Sequence, residues 1–162
     1  MRIGFGYDVH AFAPGRPLML GCVRVPFDRG LAGHSDADVL AHALVDALLG
    51  AAGLGDIGQM FPDHDPAWAG APGARLLNLT MSRVRAAGFE LVNADLTVLA
   101  QRPKIGPHKD RMAHAVAEAL GAAAGQVNIK AKTSEGLGFV GREEGLAAVA
   151  AVLLGPGGAA EI

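Results

Sequence analysis

The sequence predicts an α/β chain, α+β-like in its layering, in which a mixed β-sheet is covered by about three helices within a single domain. Alternating apolar segments of strand length stand at both ends of the chain, with helical segments between them. The length of 162 residues suits one compact unit, and a hydrophobic content of 51% is enough for one core. The domain is expected over residues 1–154, with 155–162 as a flexible C-terminal tail.

From Arg2 to His10 the side chains alternate, with Ile3, Phe5, Tyr7 and Val9 on one face and Gly4, Gly6, Asp8 and His10 on the other. That is the period of a strand. Leu18 to Val25 is apolar, broken by Gly21 and bounded by Pro17 and Pro26, and it reads as a bent hairpin partner. Ser35-Asp36-Ala37-Asp38 has the pattern of a helix N-cap followed three residues later by a carboxylate, opening a helix that runs to about Ala52. Gly53 to Gly73 is rich in Gly, Pro and Asp, a long loop of the kind that forms functional lids. Ala74 to Ala87 reads as a helix stopped by Gly88, and Phe89 to Ala100 as a strand whose polar face carries Asn93, Asp95 and Thr97. Pro107 opens a further helix that ends at Gly121. Val127 to Thr133 and Leu146 to Leu154 close the series as strands, although both faces of the last are apolar and periodicity alone also allows a buried helix.

A net charge of -2, with no dense Lys/Arg run, offers no field for wrapping nucleic acid. The single cysteine, Cys22, forms neither an internal disulfide nor a multi-cysteine metal site, which suits a reducing compartment and predicts a cytoplasmic protein. No signal-peptide pattern opens the chain. The longest apolar run, Leu146 to Leu154, is about half of the ~20 residues a membrane helix requires, so no membrane association is expected.

Asp8 and His10 stand two apart on a strand, so both side chains project from one face and can converge on one ion. His42 supplies a third ligand from the following helix, where Asp38, His42 and Asp46 recur every four residues as a polar stripe. Two imidazoles and a carboxylate match a catalytic zinc with its fourth position open. Asp-x-His alone is a short pattern and reads by default as a strand end of no consequence. His34-Ser35 precedes the same helix, where free N–H groups and the helix dipole favour a phosphate; an ordinary serine cap is the plain alternative. Asp56-Ile57-Gly58 and Phe61-Pro62-Asp63 read by default as turns with carboxylates capping backbone groups. Lys130 to Glu135 ends a strand with two cations, two hydroxyls and a carboxylate, then Gly136, Gly138 and Gly141. Such a loop can approach phosphates while Glu135 holds a hard cation, or it is a solvated charge run. Arg102 to Pro107 is a stiff basic turn suited to a nucleotide, and by itself only a turn.

In order along the chain, Gly6-Tyr7-Asp8-Val9-His10, Ala32 to Val39, Asp46 to Gly50, Leu54 to Gly58, Phe61-Pro62-Asp63, Gln101 to Lys104 and Thr133 to Arg142 resemble the 2-C-methyl-D-erythritol 2,4-cyclodiphosphate synthase family. The resemblance runs from Met1 to about Leu154, and its specificity lies in the joint order and spacing of the motifs. It implies conversion of 4-diphosphocytidyl-2-C-methyl-D-erythritol 2-phosphate to the 2,4-cyclodiphosphate and CMP, a phosphorus–oxygen lyase reaction of the non-mevalonate isoprenoid pathway. It implies zinc, or another divalent transition metal, on Asp8, His10 and His42, and Mg²⁺ or Mn²⁺ on Glu135, one of each per active site. His34 and Thr133 take the role of stabilising the transition state. Substrate contacts are expected from Asp8, His10, His34, Ser35, Asp56, Ile57, Gly58, Phe61, Pro62, Asp63, His64 and Asp65. Further contacts are expected from Ala100, Pro103, Lys104, Ile105, Gly106, Ala131, Lys132, Thr133, Ser134, Glu135, Phe139 and Arg142.

The resemblance also implies a homotrimer with active sites between subunits, and an axial apolar cavity that accepts an isoprenoid diphosphate near Arg142. No nucleophile with an adjacent base stands out in the sequence, and none is needed where the substrate's own 2-phosphate attacks the β-phosphorus. The rival readings are a zinc-dependent hydrolase of a nucleotide diphosphate, which would give linear products, and a non-catalytic isoprenoid-binding trimer.

Overall fold

The protein is described by a computed structural model over residues 1–157. Five strands form one mixed sheet: β1 (Arg2–Pro14), β4 (Arg29–Leu31), β5 (Phe89–Leu99), β6 (Val127–Lys132) and β7 (Gly145–Pro156). Their order is β4-β1-β7-β5-β6, antiparallel throughout except for the parallel β5–β6 pair. One face of the sheet is covered by α1 (Val39–Ala52), which is packed in turn by α3 (Gly73–Ala86), while α4 (Lys109–Leu120) lies against α3 and β6. The mixed sheet with three long helices is the architecture read from the sequence.

The glycine face of β1 is what brings helix and strand together. A Cβ on Gly4 would stand 1.9 Å from the carbonyl oxygen of Ala47, and one on Gly6 would stand 1.9 Å from that of Ala43. Only glycine permits so close an approach. Helix α1 therefore lies directly on β1, with its residues apolar on nearly every side and buried between sheet and α3. The same strand face continues into Asp8 and His10, which thereby meet the first turns of α1. Ile3, Phe5, Tyr7 and Val9 point the other way, onto the uncovered face of the sheet.

Several boundaries differ from the sequence reading, each for a tertiary reason. Helix α1 begins at Val39, and its N-cap is Asp38 rather than Ser35. The fully buried Asp38 carboxylate accepts from Leu40 N and Ala41 N of its own helix, and also from Gly21 N and Cys22 N of a distant turn. That turn joins β2 (Leu18–Leu20) to β3 (Val23–Val25), which pair with each other as a separate two-stranded sheet. Leu18 to Val25 is thus a hairpin in itself and not the partner of β1. The true partners of β1 are β7 and the three-residue β4, which the sequence did not reveal.

The long loop contains a helical turn, α2 (Ile57–Met60), and a 3₁₀ turn at Pro66–Trp68. A second 3₁₀ turn, Gly106–His108, takes up Pro107, so that α4 starts at Lys109. The ambiguous segment at Leu146 is a strand, apolar on both faces because it is central: β1 flanks it on one side and β5 on the other. It runs two residues past the expected domain end, with Gly155 and Pro156 paired to Glu90 and Phe89. The rest of the expected tail, 158–162, lies outside the described residues.

Candidate active site

Asp8, His10 and His42 converge on one point. Asp8 Oδ2 lies 2.9 Å from His10 Nε2 and 3.1 Å from His42 Nδ1, and the two ring nitrogens are 3.0 Å apart. Ligands of a tetrahedral ion bound at ~2.0 Å stand ~3.3 Å from one another, so this triangle is close to the size a zinc needs. Among the described residues this is the one cluster of three such donors.

The outward atom of each ligand is held. Asp8 Oδ1 accepts from Val9 N at 2.8 Å, His10 Nδ1 faces the Ala32 carbonyl, and His42 Nε2 lies 2.9 Å from Ser35 Oγ. A ring nitrogen facing a carbonyl must carry the proton, which leaves a lone pair on His10 Nε2. Ser35 Oγ accepts from Ala37 N and has a lone pair left for an N–H on His42 Nε2, the tautomer that turns the Nδ1 lone pair toward Asp8 and His10. In that tautomer two imidazole lone pairs and a carboxylate oxygen face a common centre, a donor set with the outer support that suits a divalent metal. Without an ion between them the same two nitrogens can instead carry protons toward Asp8: burial opposes the charge on Asp8, but hydrogen bonds and charge from His10 and His42 outweigh it and hold the carboxyl well below the usual range. Burial likewise opposes charge on His10, and the Asp8 partner pushes it up.

The triad opens into a cleft of about 460 Å³ lined by Gly33, His34, Ser35, Ile57, Gly58, Phe61, Pro62, Asp63, His64, Trp68 and Leu76. Its far wall is set by carboxylates that hold backbone. Asp46 Oδ1 accepts from Ile57 N at 2.7 Å, Asp56 caps α2 through Gln59 N, and Asp65 caps the next turn through Ala67 N. His34 Nε2 reaches the Asp65 carbonyl at 3.0 Å, tying the loop to the mouth of the cleft. The expected stripe of α1 is thus divided, with Asp38 as a buried cap, His42 at the triad and Asp46 under the loop. Because Asp38 takes the first amides of α1, the phosphate site expected at that helix start is closed, and His34 and Ser35 meet the cleft through their side chains.

A second pocket of about 290 Å³ is lined by Ala100, Gln101, Pro103, Lys104, Ile105, Gly106, Pro107, Lys109, Ala131, Lys132 and Thr133. Sheet register relates the two. Asp8 pairs with Ala148, Ala148 with Val98, and Val98 with Ala131, so the metal cleft and the second pocket share one row of the sheet. Three strand spacings separate them, ~14 Å of backbone. Of the remaining expected contacts, Thr133 Oγ1 donates to Glu135 Oε1 at 2.6 Å and Ser134 Oγ donates to Leu137 O at 2.7 Å. Gly136 N donates to the Gln101 side chain, which keeps this turn over the β5–β6 edge. Phe139 and Arg142 line neither pocket. Sequence reasoning missed Gly33, Trp68 and Leu76 at the cleft and Gln101, Pro107 and Lys109 at the second pocket; for Trp68 the signal was its being the only tryptophan of the chain, in a loop rich in Gly, Pro and Asp.

Residues 1–155 match the YgbB family. The chain belongs to that family. A YgbB relative from Syntrophobacter fumaroxidans, named 2-C-methyl-D-erythritol 2,4-cyclodiphosphate synthase, is 58% identical over 154 residues, covering 95% of this chain and 97% of the relative. A protein of the same name from Ralstonia nicotianae is 58% identical over 161 residues, covering 99% of this chain and 96% of its own length. Among solved structures, a CDP-bound 2C-methyl-D-erythritol-2,4-cyclodiphosphate synthase aligns with a TM-score of 0.86 at 41% identity, covering 95% of this chain and 100% of that one. The bifunctional IspDF from Campylobacter jejuni aligns with a TM-score of 0.91 at 47% identity over 94% of this chain, which spans 42% of that longer protein.

Proposed function

We infer that this YgbB protein is a lyase that converts 4-diphosphocytidyl-2-C-methyl-D-erythritol 2-phosphate to 2-C-methyl-D-erythritol 2,4-cyclodiphosphate and CMP, in the non-mevalonate isoprenoid pathway. The observation that carries the reading is the Asp8–His10–His42 triad, three donor atoms converging on one point in a cleft that His34 and Ser35 also line. An oxygen of the 2-phosphate forms a bond to the β-phosphorus as the bond from β-phosphorus to the bridging oxygen breaks, and that oxygen leaves with CMP. No water is consumed. Zinc at the triad and Mg²⁺ or Mn²⁺ at Glu135, when bound, neutralise charge on the transferring phosphoryl group. Glu135 offers one carboxylate, which suits a Mg²⁺ completed by substrate phosphates and water. His34 and Ser35 orient the 2-phosphate, and the Phe61–Trp68 wall excludes water from the cleft. Lys104, with the Ala100–Gly106 turn, receives the cytidine end, and Thr133 steadies the leaving phosphate. Phosphorus NMR of the products from this substrate with zinc and Mg²⁺ tests the assignment. A cyclic diphosphate is expected, and a linear phosphate product would make the protein a hydrolase instead.

We also assign the working form to a homotrimer in the cytoplasm, with each site shared by two chains. Two cations acting on one phosphoryl transfer stand ~4 Å apart. The triad and the β5–β6 edge of one chain are too widely spaced for that, which favours completion by a second copy. The uncovered sheet face supports the same reading, for Ile3, Phe5, Tyr7 and Val9 are 81%, 67%, 51% and 45% exposed in a continuous stripe. No helix among the described residues is long and apolar enough to cross a membrane; we assign that face to another copy of the chain. At the end of the stripe Arg142 Nε donates to Glu144 Oε1 at 2.8 Å, an exposed pair that a diphosphate can displace. In a trimer closed over that stripe we assign the axial space to an isoprenoid diphosphate. Arg142→Met should weaken geranyl diphosphate binding by about tenfold or more in calorimetry, and unchanged affinity would remove Arg142 from that site.

A further inference from the structure

Four consecutive carbonyls, from Ala32 to Ser35, are held by three partners: His10, Arg16 and Gly70. Ala32 O faces His10 Nδ1, and His34 O accepts from Gly70 N at 2.8 Å. The two between and beyond, Gly33 O and Ser35 O, both accept from Arg16, one through each terminal nitrogen of the guanidinium. The fork therefore brackets His34 from both sides. Ser35 in turn presents its hydroxyl to His42, so the same short turn carries His34 and the rear supports of both metal-ligating histidines. Arg16 is itself set in place by close packing. Its carbonyl would lie 2.6 Å from a Cβ on Gly30, so the connection between β1 and β2 rests directly on β4, the strand that leads into Ala32.

We propose that Arg16 is a positioning residue for the reaction, its planar guanidinium fixing the Gly33-His34-Ser35 turn and through it the orientation of His34, His10 and His42. The proposal rests on the cyclodiphosphate synthase reading above. A guanidinium suits this task because two donors in a rigid plane can span two carbonyls at a fixed separation, whereas a lysine ammonium offers its donors from a single point. Unsupported, the turn keeps its chain path through Ala32 and Gly70 but loses the constraint on either side of His34. Misplacement of reacting groups by small distances lowers turnover more than it lowers binding.

The test uses the full-length protein with Arg16→Ala and Arg16→Lys, measuring steady-state kinetics, zinc affinity by chelator competition and melting by circular dichroism. For Arg16→Ala, kcat should fall ~10- to 100-fold and zinc should bind about tenfold more weakly, the size of a loss of outer support. KM should change less than turnover does, and added guanidinium ion, which supplies the same planar fork, should restore part of kcat in Arg16→Ala and raise it not at all in the unmodified protein. Arg16→Lys should lie between the two. A folded Arg16→Ala with kcat and zinc affinity unchanged, or a loss that follows the unfolded fraction and is not relieved by guanidinium, overturns the proposal. Should Arg16→Ala not fold, unchanged kcat and zinc affinity in Arg16→Lys overturns it equally. If the unmodified protein forms no cyclic product, the reaction reading fails, while the zinc affinities still decide the role of Arg16.

Discussion

Replacing His42 with alanine should leave a folded protein that holds almost no zinc and forms no cyclic diphosphate. The imidazole supplies one of three lone pairs at the triad, and an open tetrahedral site reduced to two protein ligands keeps too few donors. Folding should survive because alanine is the best helix former, and because α1 is held by its apolar surroundings and by the Asp38 cap, neither of which involves His42. Loss of the ion removes several kcal/mol of transition-state stabilisation, on the order of a thousandfold or more in turnover. Asp8→Ala should behave alike. Metal analysis of the purified variants, beside their melting curves, checks this, and full zinc occupancy in either would show that the ligands are wrongly assigned. Glu135→Gln should give the complementary pattern, with zinc retained and turnover lost, since Glu135 stands apart from the triad.

The parts of the fold legible in the sequence were those governed by local period. Asp8 and His10 fall on one face because a strand alternates, but the close approach that Gly4 and Gly6 allow, and its partner α1, became visible only in the folded chain. The helices ended where Gly88 and Gly121 stop them. What escaped was tertiary. The cap of α1 depends on Asp38 also receiving the amides of Gly21 and Cys22 from a turn sixteen and more residues away, so the nearer Ser35 looked like the better cap. A three-residue strand such as β4 carries too few residues to show a period. Burial of Leu76 and Trp68 beside the triad depends on how the long loop folds over α3, and Arg16 acts on backbone carbonyls, which leave no trace in side-chain patterns.

The site itself was legible as a set of residues but not as a geometry. Asp8, His10, His34, Ser35 and His42 gather at one cleft, and Lys104, Lys132 and Thr133 at another. Nothing in linear spacing indicates that β7 and β5 intervene between them. That separation is what favours a site shared between two chains.

Co-refolding two inactive variants tests it directly. His42→Ala destroys the metal half of a site and Thr133→Val the nucleotide half, and neither should form product alone. If each site in a closed ring takes its metal half from one chain and its nucleotide half from the neighbour, random assembly of equal amounts leaves about one quarter of sites with both halves intact. Cyclic diphosphate formation near one quarter of the unmodified rate is the predicted result. Where both halves belong to one chain, every site keeps its own lesion. No recovered activity, in mixtures shown by mass spectrometry to contain both variants in one assembly, would contradict the shared site.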